Sequence, residues 1–230
     1  MTTLENSLMA ARQNEIFSTG GEGDRYFQRN RAFYSDKRSA DELSAAAALY
    51  TKYIKQDDLV LEVGSSSGVN LASICQAAGC RGVGIDPSAE AIGKGLQLFP
   101  HLDLRVGTAD RLDFADHSLD FTLFGFCLYL VDREHITRVV AEADRCLRDG
   151  GWIGITDFMP DVPTARPYAH RAEITSYKLD YSRLFTAFPH FQLVESVCFN
   201  HTDNRYSADP QERLSAQVIH KQMRGGYQRI

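Results

Sequence analysis

A chain of 230 residues is long enough for one sizeable domain, or a domain with a small appendage, burying about 70% of its unfolded surface. The formal net charge of −5 speaks against broad electrostatic capture of nucleic acid or an anionic membrane, and the longest apolar stretch, residues 121–131, is too short to span a bilayer. Cysteines 75, 80, 127, 146 and 198 are odd in number, form no Cys-x-x-Cys pair and follow no secretory leader, which points to reduced thiols in a cytoplasmic protein.

The first patterned segment is Gly20-Gly-Glu-Gly-Asp-Arg-Tyr-Phe-Gln-Arg-Asn-Arg31, a glycine-rich loop followed by a helix bearing Tyr26, Phe27, Arg29 and Asn30. Ser39-Ala-Asp-Glu42 forms a capping box, and Leu43, Ala46, Ala47, Tyr50 and Tyr53 follow at helical spacing. Asp58-Leu-Val-Leu-Glu-Val-Gly-Ser-Ser-Ser-Gly68 reads as a strand apolar on both faces that runs into a glycine-broken turn and opens a helix. Such a turn offers unpaired N–H groups where a nucleotide-like ligand can lie. Glu62 is a carboxylate inside that apolar strand. Burying it alone is costly, so it needs a partner, and a cationic or amine-bearing ligand is one candidate.

Leu71, Ile74, Cys75 and Ala78 continue as a helix stopped by Gly79, and Gly82-Val-Gly-Ile-Asp86 forms a second strand ending in an acid. An acid in that place accepts from both hydroxyls of a ribose. Pro87 and Ser88 start the next helix. A third strand over 102–106 leads into Gly107-Thr-Ala-Asp110, and 119–126 supplies a fourth. Asp132 is expected to cap a helix with Ile136, Val139, Val140, Ala143 and Leu147 on one stripe, ended by Gly150-Gly151 before a fifth strand over 152–157. A proline-punctuated loop over 159–170 and a helical or partly extended stretch over 171–185 follow. Residues 191–199 and 215–221 can then close the sheet as an antiparallel hairpin, leaving a frayed tail after Gln222.

These residues resemble the class I S-adenosylmethionine-dependent methyltransferases over roughly residues 40–160. Their first motif, an apolar strand, an acid and Gly-x-Gly-x-Gly, stands here as Glu62-Val-Gly64-Ser-Ser66-Ser-Gly68, with serine for the middle glycine. Asp86, the Ala109-Asp110 pair and the Leu-Arg-Asp-Gly-Gly-Trp run at 147–152 follow in order. A nicotinamide dehydrogenase would need glycines at 64, 66 and 69, where the chain has Ser66 and Val69, and a phosphate-binding loop would need Lys-Ser/Thr after Gly68. The resemblance implies a Rossmann-like α/β fold, doubly wound, with a mostly parallel seven-stranded sheet and an antiparallel last strand. It implies S-adenosylmethionine as cofactor, bound by Glu62, Gly64, Ser65, Ser66, Gly68, Asp86, Pro87, Ala109, Asp110, Arg111 and Phe124.

Residues 1–38 are expected as a helical N-terminal lid, 39–222 as the cofactor-binding domain with a substrate loop over 158–185, and 223–230 as the tail. In the lid, Arg29 or Asn30 would meet the methionine carboxylate and Tyr26 would shield the sulfonium. The competing reading is a solvated helix with surface ion pairs, anchored by Tyr26 and Phe27. Segments Glu22–Asn30 and Tyr177–Tyr181 are similar to a group of bacterial methyltransferases associated with sugars and surface polysaccharides. The expected reaction is O-methylation of a sugar or sugar-containing small molecule. Transfer to another small metabolite at oxygen, nitrogen or carboxylate, or binding of S-adenosylmethionine without transfer, are the alternatives. Asp157, His170 and Tyr129 stand where a base is needed, though each has a structural reading as cap, loop or packing residue. The histidines form no close metal spacing, so no metal is expected.

Overall fold

The computed structural model describes residues 12–34, 43–200 and 205–227. Three helices come first, α1 (Arg12–Ser18), α2 (Glu22–Arg29) and α3 (Arg31–Tyr34), then α4 (Ala45–Tyr50). The Ser39–Glu42 capping box lies outside the described residues. The helix after it starts later than its spacing suggested: Ser44 is the cap, its Oγ accepting from the Ala47 N–H at 3.1 Å.

An alternation of strand and helix follows: β1 (Leu59–Val63), α5 (Val69–Ala78), β2 (Arg81–Asp86), α6 (Ala89–Leu98), β3 (Asp103–Val106), β4 (Leu119–Gly125), α7 (Ile136–Cys146) and β5 (Leu147–Phe158). A hairpin, β6 (Thr164–Tyr168) and β7 (Arg171–Lys178), a short α8 (Ser182–Thr186), and the strands β8 (Phe191–Phe199) and β9 (Leu214–Lys221) come next, and α9 (Met223–Gly226) ends the described chain. The main sheet has seven strands in the order β3-β2-β1-β4-β5-β9-β8. Its first five strands are parallel, and β9 runs antiparallel to both β5 and β8. This is the doubly wound, Rossmann-like architecture that the alternation implied.

Both faces of the sheet are covered. On one side Leu71, Ile74, Phe121, Leu123 and Tyr50 pack beneath α4, α5 and α6. On the other, Phe124, Val139, Ala143, Ile155 and Phe185 pack beneath α7 and α8. That burial explains why β1 and β4 are apolar on both faces. The chain order reverses at β1 and β4, and the crevice beyond their carboxyl ends is where such folds place ligands.

Several expected boundaries change. Helix α7 ends at Cys146 and the chain is already extended at Leu147, because Leu147 pairs with Leu119 before a bulge restores register at Phe121 and Trp152. Gly150, at φ 77°, sits in that bulge and so turns the strand where it was expected to stop a helix. Asp132 caps the turn before α7, its Oδ1 accepting from the Glu134 N–H at 3.2 Å, and His135 is the residue that precedes the helix. Residues 171–178 are a strand, paired with β6 in a separate two-stranded sheet. The segment read as a tail begins with α9, held to the body where the Met223 N–H donates to Asp149 Oδ1 at 2.8 Å.

Candidate functional site

The turn after β1 is built by hydrogen bonds to its neighbour. The Gly64 and Ser65 N–H groups both donate to the Ile85 carbonyl, at 2.9 and 3.1 Å. Gly64 takes φ 78°, and a Cβ there would meet Cys127 Cβ at 2.8 Å and the Gly125 carbonyl at 3.0 Å. Two strand ends therefore approach through a position only glycine fills. Ser66, in place of the family's middle glycine, adopts φ 49°, and its N–H donates to Asp86 Oδ2 at 2.9 Å. Asp86 Oδ1 accepts from the Ser88 N–H at 2.8 Å. Burial pushes the Asp86 carboxyl up to about 6 in spite of these two donors.

Beyond the turn lies an open cavity of about 110 Å³. Gly64, Ser66, Asp86, Pro87 and Ala109 line it, as does Tyr26 from α2. Glu62 lies immediately under its floor, since a Cβ on the lining residue Gly125 would sit 3.1 Å from Glu62 Oε1. Asn70 Nδ2 donates to that Oε1 at 2.7 Å, while the buried Oε2 has no hydrogen-bond partner. Burial raises the Glu62 carboxyl to about 8. The need for a partner, read from the strand, is thus only half met by the protein itself.

A second open cavity, about 400 Å³, adjoins the first and shares Tyr26 and Phe126 with it. Asn30, Tyr129 and His170 line this one, together with Phe158, Tyr168 and Lys178. The Tyr129 hydroxyl is hydrogen-bonded to those of Tyr26 and Tyr168, so three phenols from distant parts of the chain meet at the boundary. Desolvation raises the Tyr26 phenol to about 12 and the Tyr129 phenol well above its ordinary value, so both stay protonated at neutral pH.

The first two helices form the outer wall. Gln13 Nε2 donates to the Leu130 carbonyl at 2.6 Å and to the Thr175 carbonyl at 3.2 Å. Asp24 Oδ1 accepts from Ser88 Oγ at 2.6 Å and from the Glu90 N–H at 3.0 Å, fastening α2 to the start of α6. Phe27 is buried, as the anchored-helix reading required. Arg29 donates to the buried Glu22 at 2.6 Å and to the Tyr168 hydroxyl at 3.3 Å, and it lines neither cavity. Asn30 Nδ2 donates to the Tyr26 carbonyl at 2.9 Å.

Other expected site residues fall outside the cavity walls. Ser65 is buried behind the turn with its Oγ unpartnered, and Gly68 begins α5 at φ 77°. Asp110 has one buried, unpartnered oxygen, and Arg111 is exposed. Phe124 faces the core, 6.0 Å from the Phe185 ring, as a residue still within β4 and packed against α8. The aromatic residue on the cavity is Phe126, just past the strand at φ 49°. Asp157 is buried with Oδ2 accepting from the Tyr129 N–H at 3.2 Å and Oδ1 from the Phe158 N–H at 2.8 Å. It lines neither cavity and fixes the turn that carries Tyr129. Phe126 and Leu130 could have been found as residues following a parallel strand's carboxyl end. Phe17 and Thr108, which also line the first cavity, carried no comparable signal.

Residues 60–151 match the family model described as a methyltransferase domain. A comparison with curated proteins found no match. Among solved structures, the Burkholderia thailandensis 1,6-didemethyltoxoflavin-N1-methyltransferase, with bound 1,6-didemethyltoxoflavin and S-adenosylhomocysteine, is similar at 17% identity and TM-score 0.69, covering 96% of this chain and 92% of that one. A SAM-dependent methyltransferase from Methanosarcina mazei is similar at 17% identity and TM-score 0.63, over 76% of this chain and 97% of that one. A TehB-like SAM-dependent methyltransferase from Corynebacterium glutamicum aligns over 88% and 100% of the two chains at 16% identity and TM-score 0.61.

Residues 60–151 thus match a methyltransferase domain, set in a Rossmann-like fold that the chain shares with these solved structures. The site's chemistry fits the S-adenosylmethionine that the resemblance implies: an acid beside the glycine turn and an unpartnered buried carboxylate oxygen beneath the floor. No helix among the described residues is long and apolar enough to cross a membrane.

Proposed function

We propose that this enzyme methylates a hydroxyl of a small sugar or sugar-containing molecule, with the donor in the first cavity and the acceptor in the second. The observation that carries this reading is the wall of Tyr26 and Phe126 common to both cavities, which would set donor and acceptor against each other. Asp86 would hold the ribose hydroxyls, Gly64 and Ser66 would let the donor approach the turn, and Ala109 and Asp110 would face the adenine. Glu62, from below, would balance the donor's ammonium group. Bound there, S-adenosylmethionine supplies a methyl carbon already activated by its positive sulfur.

The protein's part is alignment and exclusion of water, which can supply about 7–11 kcal/mol of a barrier. Helices α1 and α2 would act as the lid, with Tyr26 against the sulfonium. The protonated phenols of Tyr129 and Tyr168 would donate to acceptor oxygens, and His170 would receive the proton that a hydroxyl loses on methylation. Hydroxyl and amide groups of Asn30, Tyr168 and Ser176 beside the Phe158 ring suit a polyhydroxylated body. The five free thiols agree with a cytoplasmic site of action.

The test is a time course of S-adenosylhomocysteine formation with a panel of sugars, glycosides and sugar phosphates, together with calorimetry of the donor. Saturable turnover that needs a free acceptor hydroxyl supports the reading. Turnover restricted to amines or carboxylic acids overturns the sugar assignment. Tight donor binding without turnover across the panel overturns catalysis as the role of the second cavity.

A further inference from the structure

The second cavity carries a charge pattern that methyl transfer itself does not require. Lys178 is only 3% exposed and lines the cavity. It donates to the Gln211 carbonyl at 2.9 Å and lies 3.6 Å from the centroid of the Phe158 ring. Neither contact neutralises it. Among the described residues no carboxylate pairs with it. Asp157, Asp209 and Glu212 act on it only at longer range, and Arg166 adds a second positive charge nearby.

Arg166 lines the same cavity from β6, in register with Ser176, and no described carboxylate pairs with it. His170 stands at the hairpin's end, and neither Asp nor Glu lines this space. Lys178 and Arg166 thus set two positive charges against the chain's formal net charge of −5. A buried ammonium without a counter-charge costs several kcal/mol, and an entering anion would offset that cost. Phe126, Tyr129, Phe158 and Tyr168 give the rest of the wall flat apolar faces.

We propose that the acceptor bears an anionic group, a carboxylate or a phosphate, seated between Lys178 and Arg166 while its body lies on the aromatic wall. This rests on the methyltransferase reading and narrows its acceptor to an acidic sugar derivative, such as a uronic acid or a sugar phosphate. The anion fixes one end of the molecule and leaves a hydroxyl toward the wall shared with the donor.

The test uses full-length protein saturated with S-adenosylhomocysteine and two matched pairs of probes. Phenyl β-D-glucuronide and phenyl β-D-glucoside differ by a carboxylate, and phenyl phosphate and phenol by a phosphate. The charged member of at least one pair should bind about tenfold tighter, and the pair that responds identifies the anion. Lys178→Met should reduce that preference to about twofold or less without altering affinity for S-adenosylhomocysteine. Arg166→Gln, at an exposed position, should reduce it about threefold even if the lysine variant folds poorly. Equal binding within both pairs, no binding of any probe at millimolar concentration, or a preference that survives both variants overturns the proposal. Failure of the wild-type protein to bind S-adenosylhomocysteine would instead remove the methyltransferase reading beneath it.

Discussion

Glu62 offers a direct way to ask whether a cation enters the first cavity. Its carboxyl is raised from 4.5 to about 8 by burial, against a single side-chain donor from Asn70. At pH 7 such a group is about nine-tenths protonated. If the donor's ammonium settles near the unpartnered Oε2, the ionised form becomes the favoured one and the group returns toward its ordinary range. Binding should therefore release about 0.9 proton at pH 7, falling toward zero at pH 9 and above. Ionising the carboxyl at pH 7 costs about 1.4 kcal/mol, so affinity should climb about tenfold from pH 6 to pH 7 and level off above pH 8. Calorimetric titration with S-adenosylhomocysteine in buffers of different ionisation enthalpy measures the proton count. Adenosine, which lacks the ammonium, should release none, and Glu62→Gln should abolish release from the full ligand. An identical proton count for wild type and Glu62→Gln would refute the placement of the ammonium beside Glu62.

The same raised carboxyl makes folding stability pH-dependent. Because the folded value lies above the unfolded one, its contribution is complete below about pH 4.5 and is lost as pH rises through 8, so Glu62→Gln should be near neutral at pH 5 and stabilising at pH 9 in denaturant melts. Asp86→Ala removes the acceptor of the Ser66 and Ser88 N–H groups and, on the proposed reading, the partner of the ribose hydroxyls, at about 1.5–3 kcal/mol per charge-assisted bond, and should weaken S-adenosylhomocysteine binding at least tenfold by calorimetry. Unchanged affinity in a well-folded Asp86→Ala protein would take Asp86 out of the site. Gly64→Ala combines φ 78° with a contact of 2.8 Å to Cys127 Cβ and should cost about 1–3 kcal/mol in thermal melts. Asp24→Ala unfastens α2 from α6 and should cost about 1–3 kcal/mol while exposing residues 12–34 to protease; unaltered cleavage would show that the latch is not Asp24.

Sequence and structure agree most closely where a residue type has few substitutes. Gly64 and Gly68 take left-handed backbone, Asp86 ends its strand on the cavity, and Glu62 is buried with an oxygen to spare. Each was legible because glycine and a buried acid are hard to explain by packing alone. Phe124 was misplaced because an apolar residue beside a site and an apolar residue in the core share one composition, and only the end of β4 at Gly125, with Phe126 at φ 49° beyond it, separates them. The β6–β7 hairpin was illegible for another reason. Prolines 160, 163 and 167 argue against an internal strand, yet β6 is an edge strand of a two-stranded sheet, where proline is tolerated.

That hairpin also explains why the acceptor side could not be assembled from motifs. Tyr26, Tyr129 and Tyr168 come from α2, from the turn after β4 and from β6, and each in isolation reads as packing. Gln13 ties α1 to both the Leu130 turn and β7, and Arg29 on α2 reaches Tyr168 on β6, so the N-terminal wall and the hairpin come to the same edge of the sheet. Cofactor residues sit within strand ends whose spacing is fixed by the βαβ unit, so their order in the chain survives as a pattern. Acceptor residues sit on appendages joined by side-chain contacts between remote segments, and no local periodicity encodes such contacts. A methyl acceptor is therefore better sought from the charge and shape of the second cavity than from any run of residues along the chain.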